Sequence, residues 1–196
     1  MLRLVLSILL ALPLAAKGPE GPKVRVTTSM GEFELELRPD AAPKTVENFM
    51  KRVGDGFYNG TIFHRVKKEF VQGGGYLPDK TKKPFKGNVA NEADMAKSKG
   101  LTNRRGTIAM GYVPGDPFGA AVQFFINVRN NPELDFKAKT LAEYGFCPFG
   151  KVVKGMEVVD RISRTVTITV KDFTNLPEQD VLIVKAEEVK PGDEDR

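Results

Sequence analysis

Two alternating runs meet at Gly31. Val24, Val26, Thr28 and Met30 take every second position before it, and Phe33, Leu35 and Leu37 every second position after it. Arg25, Thr27, Ser29, Glu32, Glu34, Glu36 and Arg38 fill the gaps. A period of two puts the apolar side chains on one face of an extended chain. The pair therefore reads as a β-hairpin with one buried and one wet face, ended by Pro39-Asp40. The rest of the chain keeps that character. Strands are expected at Thr61–Val66, around Phe70-Val71, and at Gly106–Met110, Gln123–Val128, Phe146–Val153, Val166–Val170 and Val181–Val184. Only two helices are expected. Pro43–Val53 opens on a proline and carries Val46, Phe49, Met50 and Val53 on one stripe. Gly155–Ser163 is short and brings Met156, Val159 and Ile162 together. Tyr76–Asn103 lacks periodicity and reads as a long ordered loop with Asn91-Glu92-Ala93-Asp94 as its polar anchor. Short strands without a strand–helix–strand rhythm indicate an all-β barrel or sandwich with helical caps.

The chain has 196 residues, enough for one domain with a real core, and it holds no internal repeat. Its net charge of +5 is spread among acidic residues, so it reads as a solvated basic surface and no nucleic-acid partner is expected. Residues 1–16 read as a secretory signal peptide: Arg3, the apolar run Leu4–Leu14, then Ala15-Ala16. An uncleaved N-terminal anchor is the competing reading. Residues 17–22 form a breaker-rich linker, residues 23–190 the folded domain and 191–196 a frayed acidic tail. The expected location is exported, periplasmic or secreted, with no stable membrane insertion after cleavage. Cys147 is alone, so no internal disulfide forms.

The densest chemistry lies in Thr61–Tyr76, TIFHRVKKEFVQGGGY. Two short strands joined by Lys67-Lys68-Glu69 put Arg65 and Gln72 in or near a sheet. A polar side chain there either faces water or is buried with a partner for a reason. Common catalytic machinery is poorly supported. His64 is the only histidine, so neither a histidine metal cluster nor a Ser-His-Asp triad is indicated. Gly73-Gly74-Gly75 is not followed by Lys-Ser/Thr, so it is no phosphate loop. What remains is a set of aromatic residues with Arg65, Gln72, Gln123 and Asn127 among them. Such a set suits an extended peptide and a reaction with no nucleophile.

The chain resembles the cyclophilins, peptidyl-prolyl cis-trans isomerases, of the exported bacterial kind. The resemblance rests on FHRV (63–66), QGG (72–74), QFFIN (123–127) and FGKVV (149–153) in that order, and spans Val24 to Val189. It implies a closed eight-stranded antiparallel β-barrel capped by two α-helices, with no cofactor and no metal. It further implies a monomer acting on proline-containing polypeptide clients. Carried over by residue, Arg65 takes the catalytic position, and Gln72 and Gln123 take those beside the substrate backbone. Phe125 matches the floor of the proline pocket, with Phe70 or Val71 and Leu134 as walls. Phe146 stands where many members have histidine. Gly111, Tyr112 and Val113 replace small residues whose backbone pairs with bound peptide. His64 is expected to be a buried, hydrogen-bonded framework residue, and Asn127 a structural one.

Three departures matter. The segment Val66–Val71 between Arg65 and Gln72 is one residue shorter than usual. A deletion in the bend moves Phe70 to the neighbouring pocket position, and a deletion in the strand leaves Phe70 in its role. Tyr112 and Val113 are bulky and favour a rival reading, a catalytically weak peptide-binding chaperone or scaffold module. Glu133 replaces a tryptophan of the drug-sensitive members, which implies weak cyclosporin binding.

Overall fold

A computed structural model describes residues 21–112, 122–190 and 192–193. The expected leader, most of the linker, Val113 and most of the tail lie outside the described residues. The opening hairpin forms as its alternation requires. β1 (Lys23–Thr28) pairs with β2 (Gly31–Leu37), Val24 opposite Leu35 and Val26 opposite Phe33. Those four side chains are buried in the core, as the period of two demands.

The other barrel strands are β3 (Thr61–Val66), β4 (Phe70–Gly73), β5 (Thr107–Met110), β6 (Phe124–Asn127), β7 (Pro148–Lys154) and, last in the chain, β10 (Leu182–Glu188). Together they close an antiparallel barrel in the order β1-β10-β3-β4-β6-β5-β7-β2. Closure leaves no free edge among these eight strands. β8 (Thr167–Val170) and β9 (Phe173–Pro177) form a separate two-stranded hairpin. β9 was not expected: Phe173–Pro177 lacks the alternation of its partner strand.

Helix α1 (Pro43–Gly54) follows the end of β2 and buries Val46, Phe49 and Val53. Phe49 inserts among Tyr58, Phe124 and Phe149, with ring centroids 5.1, 5.7 and 5.1 Å away. Helix α3 (Met156–Ser163) buries Val158, Val159 and Ile162 beside the start of β2. There Gly31 leaves space that a side chain would not, since a Cβ would stand 3.1 Å from Val158.

Besides the two expected helices, α2 (Ala93–Ser98) is a short third one, and it corrects the reading of Tyr76–Asn103 as all loop. Six residues with only Ala93 and Ala96 buried carry too little apolar pattern to announce a helix. The polar anchor ahead of it is real. Glu92, buried, accepts hydrogen bonds from the backbone N–H of Lys44 at 3.2 Å and of Thr45 at 2.8 Å. Ala42 cannot cap α1, so a carboxylate from a distant loop occupies its positive N-terminus. No helix of the described residues is long and apolar enough to cross a membrane.

Candidate active site

The site begins with a fault in a strand. Phe63 pairs with Gly73, but Arg65 pairs with Gln72, so two steps on β3 oppose one on β4 and His64 is the extra residue. Strict alternation would place Phe63 and Arg65 on one face. Instead Phe63 and Val66 both enter the barrel core, and Arg65 is turned outward. A bulge of this kind re-aims one side chain without unravelling the sheet. On β4 the alternation is regular: Phe70 and Gln72 are partly exposed, Val71 and Gly73 buried.

That register corrects one expected site residue. Val71 is fully buried in the barrel core and faces away from the outer surface, so it is no pocket wall. Phe70 is on the outer face. Its ring lies 5.2 Å from Phe125, and the Arg65 guanidinium carbon lies 5.3 Å above it. Phe70 and Gln72 thus share the outer face, two positions apart on an unbroken β4 ladder.

The aromatic row continues. Phe125 meets Phe146 edge to face at 5.3 Å, and Phe146 stacks on Tyr112 at 4.3 Å with 21° between planes. Phe125 is 3% exposed but lies outside the barrel core, covered by its aromatic neighbours. Such contacts each contribute about 1 kcal/mol beyond their buried area. Tyr112 does not stand free: its hydroxyl donates to the Gly145 carbonyl. Burial pushes the Tyr112 phenol up to about 12, so it remains a neutral donor.

The polar side of the site is a pair of glutamines. Gln72 Nε2 donates to Gln123 Oε1 at 2.8 Å, joining β4 to the start of β6. Two glycines make this possible. A Cβ at Gly75 would lie 2.6 Å from Gln123 Cγ, and one at Gly111 would lie 3.3 Å from Gln72 Nε2. The Gly111 N–H also donates to the Gln123 carbonyl at 2.8 Å.

Arg65 has no carboxylate within ion-pair distance among the described residues, and its buried Nε has no hydrogen-bond partner. An ordinary surface ion pair therefore does not account for it. His64 beside it is buried, as expected, and among the described residues its Nδ1 has no hydrogen-bond partner, while Ile62 and Gln123 hydrogen-bond the ring. Burial, aided by the charge of Arg65, pushes the His64 imidazole down to about 4, so it is neutral at ordinary pH.

Leu134 is half-buried at the end of the 3-10 turn Pro132–Leu134, and its carbonyl accepts the Phe146 N–H at 2.8 Å. Sequence reasoning missed what holds Leu134 and Phe146 in place. Asn103, 1% exposed, donates from Nδ2 to the carbonyls of Leu134 and Phe146, both at 3.1 Å. Its Oδ1 accepts from Asn127 at 3.2 Å, and Asn127 Oδ1 accepts from Asn131 at 2.7 Å. Asn131 then donates to the Glu69 carbonyl at 3.0 Å, in the bend before Phe70. Three buried amides thus tie Leu134 and Phe146 to β6, the strand bearing Phe125. Asn127 was expected to be structural and sits in this way. Asparagines in loops carry no sequence signal that separates such a clamp from an ordinary turn.

Comparison with known proteins adds the family. A sequence model described as cyclophilin type peptidyl-prolyl cis-trans isomerase/CLD matches residues 23–188. The chain belongs to the cyclophilin family. Peptidyl-prolyl cis-trans isomerase A of Dickeya dadantii is 42% identical over 194 residues, covering 96% of this chain and 98% of that protein. Peptidyl-prolyl cis-trans isomerase B of Escherichia coli is 42% identical over 157 residues, covering 80% and 93%. These relatives make the chain a peptidyl-prolyl cis-trans isomerase. Among solved structures, a Cryptosporidium parvum cyclophilin type peptidyl-prolyl cis-trans isomerase, in the presence of the dipeptide Ala-Pro, aligns with TM-score 0.70 at 25% identity. That alignment covers 86% of this chain and 99% of the other. The cyclophilin barrel expected from the motifs is thus the barrel observed.

Proposed function

We propose that this cyclophilin catalyses rotation about Xaa-Pro bonds through Arg65, in a groove built from Phe70, Phe125, Leu134 and Phe146. The observation that carries the reading is the Arg65 guanidinium, without a carboxylate partner among the described residues, held 5.3 Å over Phe70 beside the buried Phe125 ring. Rotation about a peptide bond costs roughly 18–20 kcal/mol because resonance must be broken. For Xaa-Pro the result is exchange over tens to hundreds of seconds. At the twisted state the proline nitrogen regains its lone pair. A guanidinium aimed at that nitrogen stabilises the twisted state more than either planar isomer. Phe125 supplies the floor for the ring, with Phe70, Leu134 and Phe146 around it. Gln72 and Gln123 hold the substrate backbone, and Gly111 with Tyr112 offers backbone groups alongside. No proton is transferred and no nucleophile is used.

Chemical-shift mapping with a short Ala-Pro peptide tests the groove. Shifts centred on Arg65, Phe70, Gln72, Gln123, Phe125 and Phe146 are expected. Shifts centred elsewhere on the barrel would overturn the assignment.

The clients we propose are proline-containing polypeptides outside the cytoplasm, met by a monomer. Support comes from the apolar run Leu4–Leu14 behind Arg3 and ahead of a breaker-rich linker. Fractionation of cells making the full chain, with the mass of the recovered protein, tests this. A shortened protein in the exported fraction is expected, and a full-length protein in the cytoplasm would contradict it.

A further inference from the structure

A cavity of about 440 Å³ opens beside the groove, lined by His64, Arg65, Gln72, Tyr76, Gln123 and Phe173, with Lys80, Asp172 and Thr174 at its edge. It shares Arg65 and the two glutamines with the groove and none of its aromatic residues. We propose that it is a second recognition pocket, taking the side chain of a residue next to the proline and preferring tyrosine there. The inference rests on the groove assigned above.

Its wall is an aromatic corner. Tyr76 packs on His64 at 4.7 Å and meets Phe173 edge to face at 4.9 Å. Phe173 comes from the β8–β9 hairpin, outside the barrel, and its seat against β3 forms one side of the cavity. The tight end of that hairpin puts Lys171 at φ 50°, and an irregularity within β9 puts Asn175 at φ 59°, a left-handed backbone that non-glycine residues adopt rarely. The hairpin is thus shaped to present Phe173 at this place.

The charges narrow the ligand. Lys80 is committed to Asp180, with Nζ 2.7 Å from Oδ1. Arg65 and Asp172 remain, one of each sign, so neither a basic nor an acidic side chain gains from the pocket as a whole. An acidic one would also draw the guanidinium away from the proline nitrogen. An aliphatic side chain would leave the glutamine amides and the Thr174 hydroxyl facing apolar surface. An aromatic ring with a hydroxyl meets both the ring edges and the polar lining.

The test uses two peptide series, with Ala, Phe, Tyr or Glu placed just before or just after the proline. Dissociation constants and catalysed exchange rates at saturation are measured by NMR for the wild type, Phe173→Ala and Thr174→Trp. In one series the wild type should bind the Tyr peptide about five-fold tighter than the Ala peptide. The Glu peptide should exchange more slowly at saturation. Both variants should bring the Tyr/Ala ratio close to one, Phe173→Ala by removing the wall and Thr174→Trp by filling the space from its exposed rim. A ratio near one in the wild type in both series, or a ratio unchanged in both variants, would overturn the pocket. Absence of catalysed exchange for every peptide, with the Tyr preference intact, would instead overturn the role of Arg65 and leave the pocket standing.

Discussion

Arg65 stands directly opposite Gln72 across β3 and β4, in register with Val66 and Val71, and His64 just before it bulges out of the ladder. The bulge sets the chemistry. It turns Arg65 out of the barrel while Phe63 and Val66 stay in the core. Gln72, thus placed, reaches Gln123 at 2.8 Å.

Gln72→Ala should lower the catalysed exchange at subsaturating peptide about ten-fold, the loss of one oriented hydrogen-bonding group. Folding should be little changed, because Gln72 is partly exposed on the outer face. Catalysed exchange by NMR, with a urea titration as control, checks both. Unaltered exchange would remove the glutamine pair from the mechanism.

His64 gives a pH signature in stability. Its folded value is pushed down to about 4, mainly by burial, while an unfolded histidine titrates near about 6.5. Between those values the unfolded chain binds the extra proton, so stability falls as pH falls through this window and the effect is complete below the folded value. The expected loss from this group is on the order of 3 kcal/mol. Urea titrations at successive pH values should show it, and His64→Gln should flatten the curve between about pH 6.5 and 4. An equal slope in wild type and variant would contradict the assignment. Above about pH 6.5 the isomerase rate should be independent of pH up to alkaline conditions, since the buried His64 is already neutral there.

Asn103→Ala should be costly. It removes the donor shared by the Leu134 and Phe146 carbonyls and strands Asn127 within a buried network. A loss of about 2–4 kcal/mol in urea denaturation is expected. In the protein that remains folded, KM should rise more than kcat falls, because the pocket walls lose their common anchor and Arg65 does not. A variant with wild-type stability and KM would show that the clamp is not needed.

Cyclosporin should bind weakly. Glu133, where drug-sensitive relatives carry tryptophan, is exposed and lies 3.8 Å from Arg129. A charged side chain there cannot supply the flat apolar surface of an indole. Titration calorimetry should give a dissociation constant well above about 1 μM, and a tighter value would contradict this reading.

What could be read from the chain follows its physics. The alternation around Gly31 gave β1 and β2, and the stripe of Val46, Phe49 and Val53 gave α1, because burial on one face imposes a period. The order of FHRV, QGG, QFFIN and FGKVV carried the family. The same period misled at β3, where a one-residue bulge reverses the face of everything before it. Val71 stayed open as a pocket wall for a different reason, the one-residue-shorter Val66–Val71 segment, and it lies in the core. Helix α2 and strand β9 were missed because neither has an apolar repeat long enough to register. The asparagine clamp was missed for another reason: Asn103, Asn127 and Asn131 meet only in three dimensions.

The central claim is that the Arg65 guanidinium stabilises the twisted amide. Its most direct test is exchange NMR of a short Xaa-Pro peptide with wild type, Arg65→Ala and Arg65→Lys, each shown to bind the peptide. Wild type should accelerate exchange strongly. Arg65→Ala should lose about a hundred-fold of that acceleration at saturation, and lysine should recover little of it, since it lacks the fixed planar fork. Acceleration unchanged in Arg65→Ala would keep the isomerase and contradict the arginine mechanism.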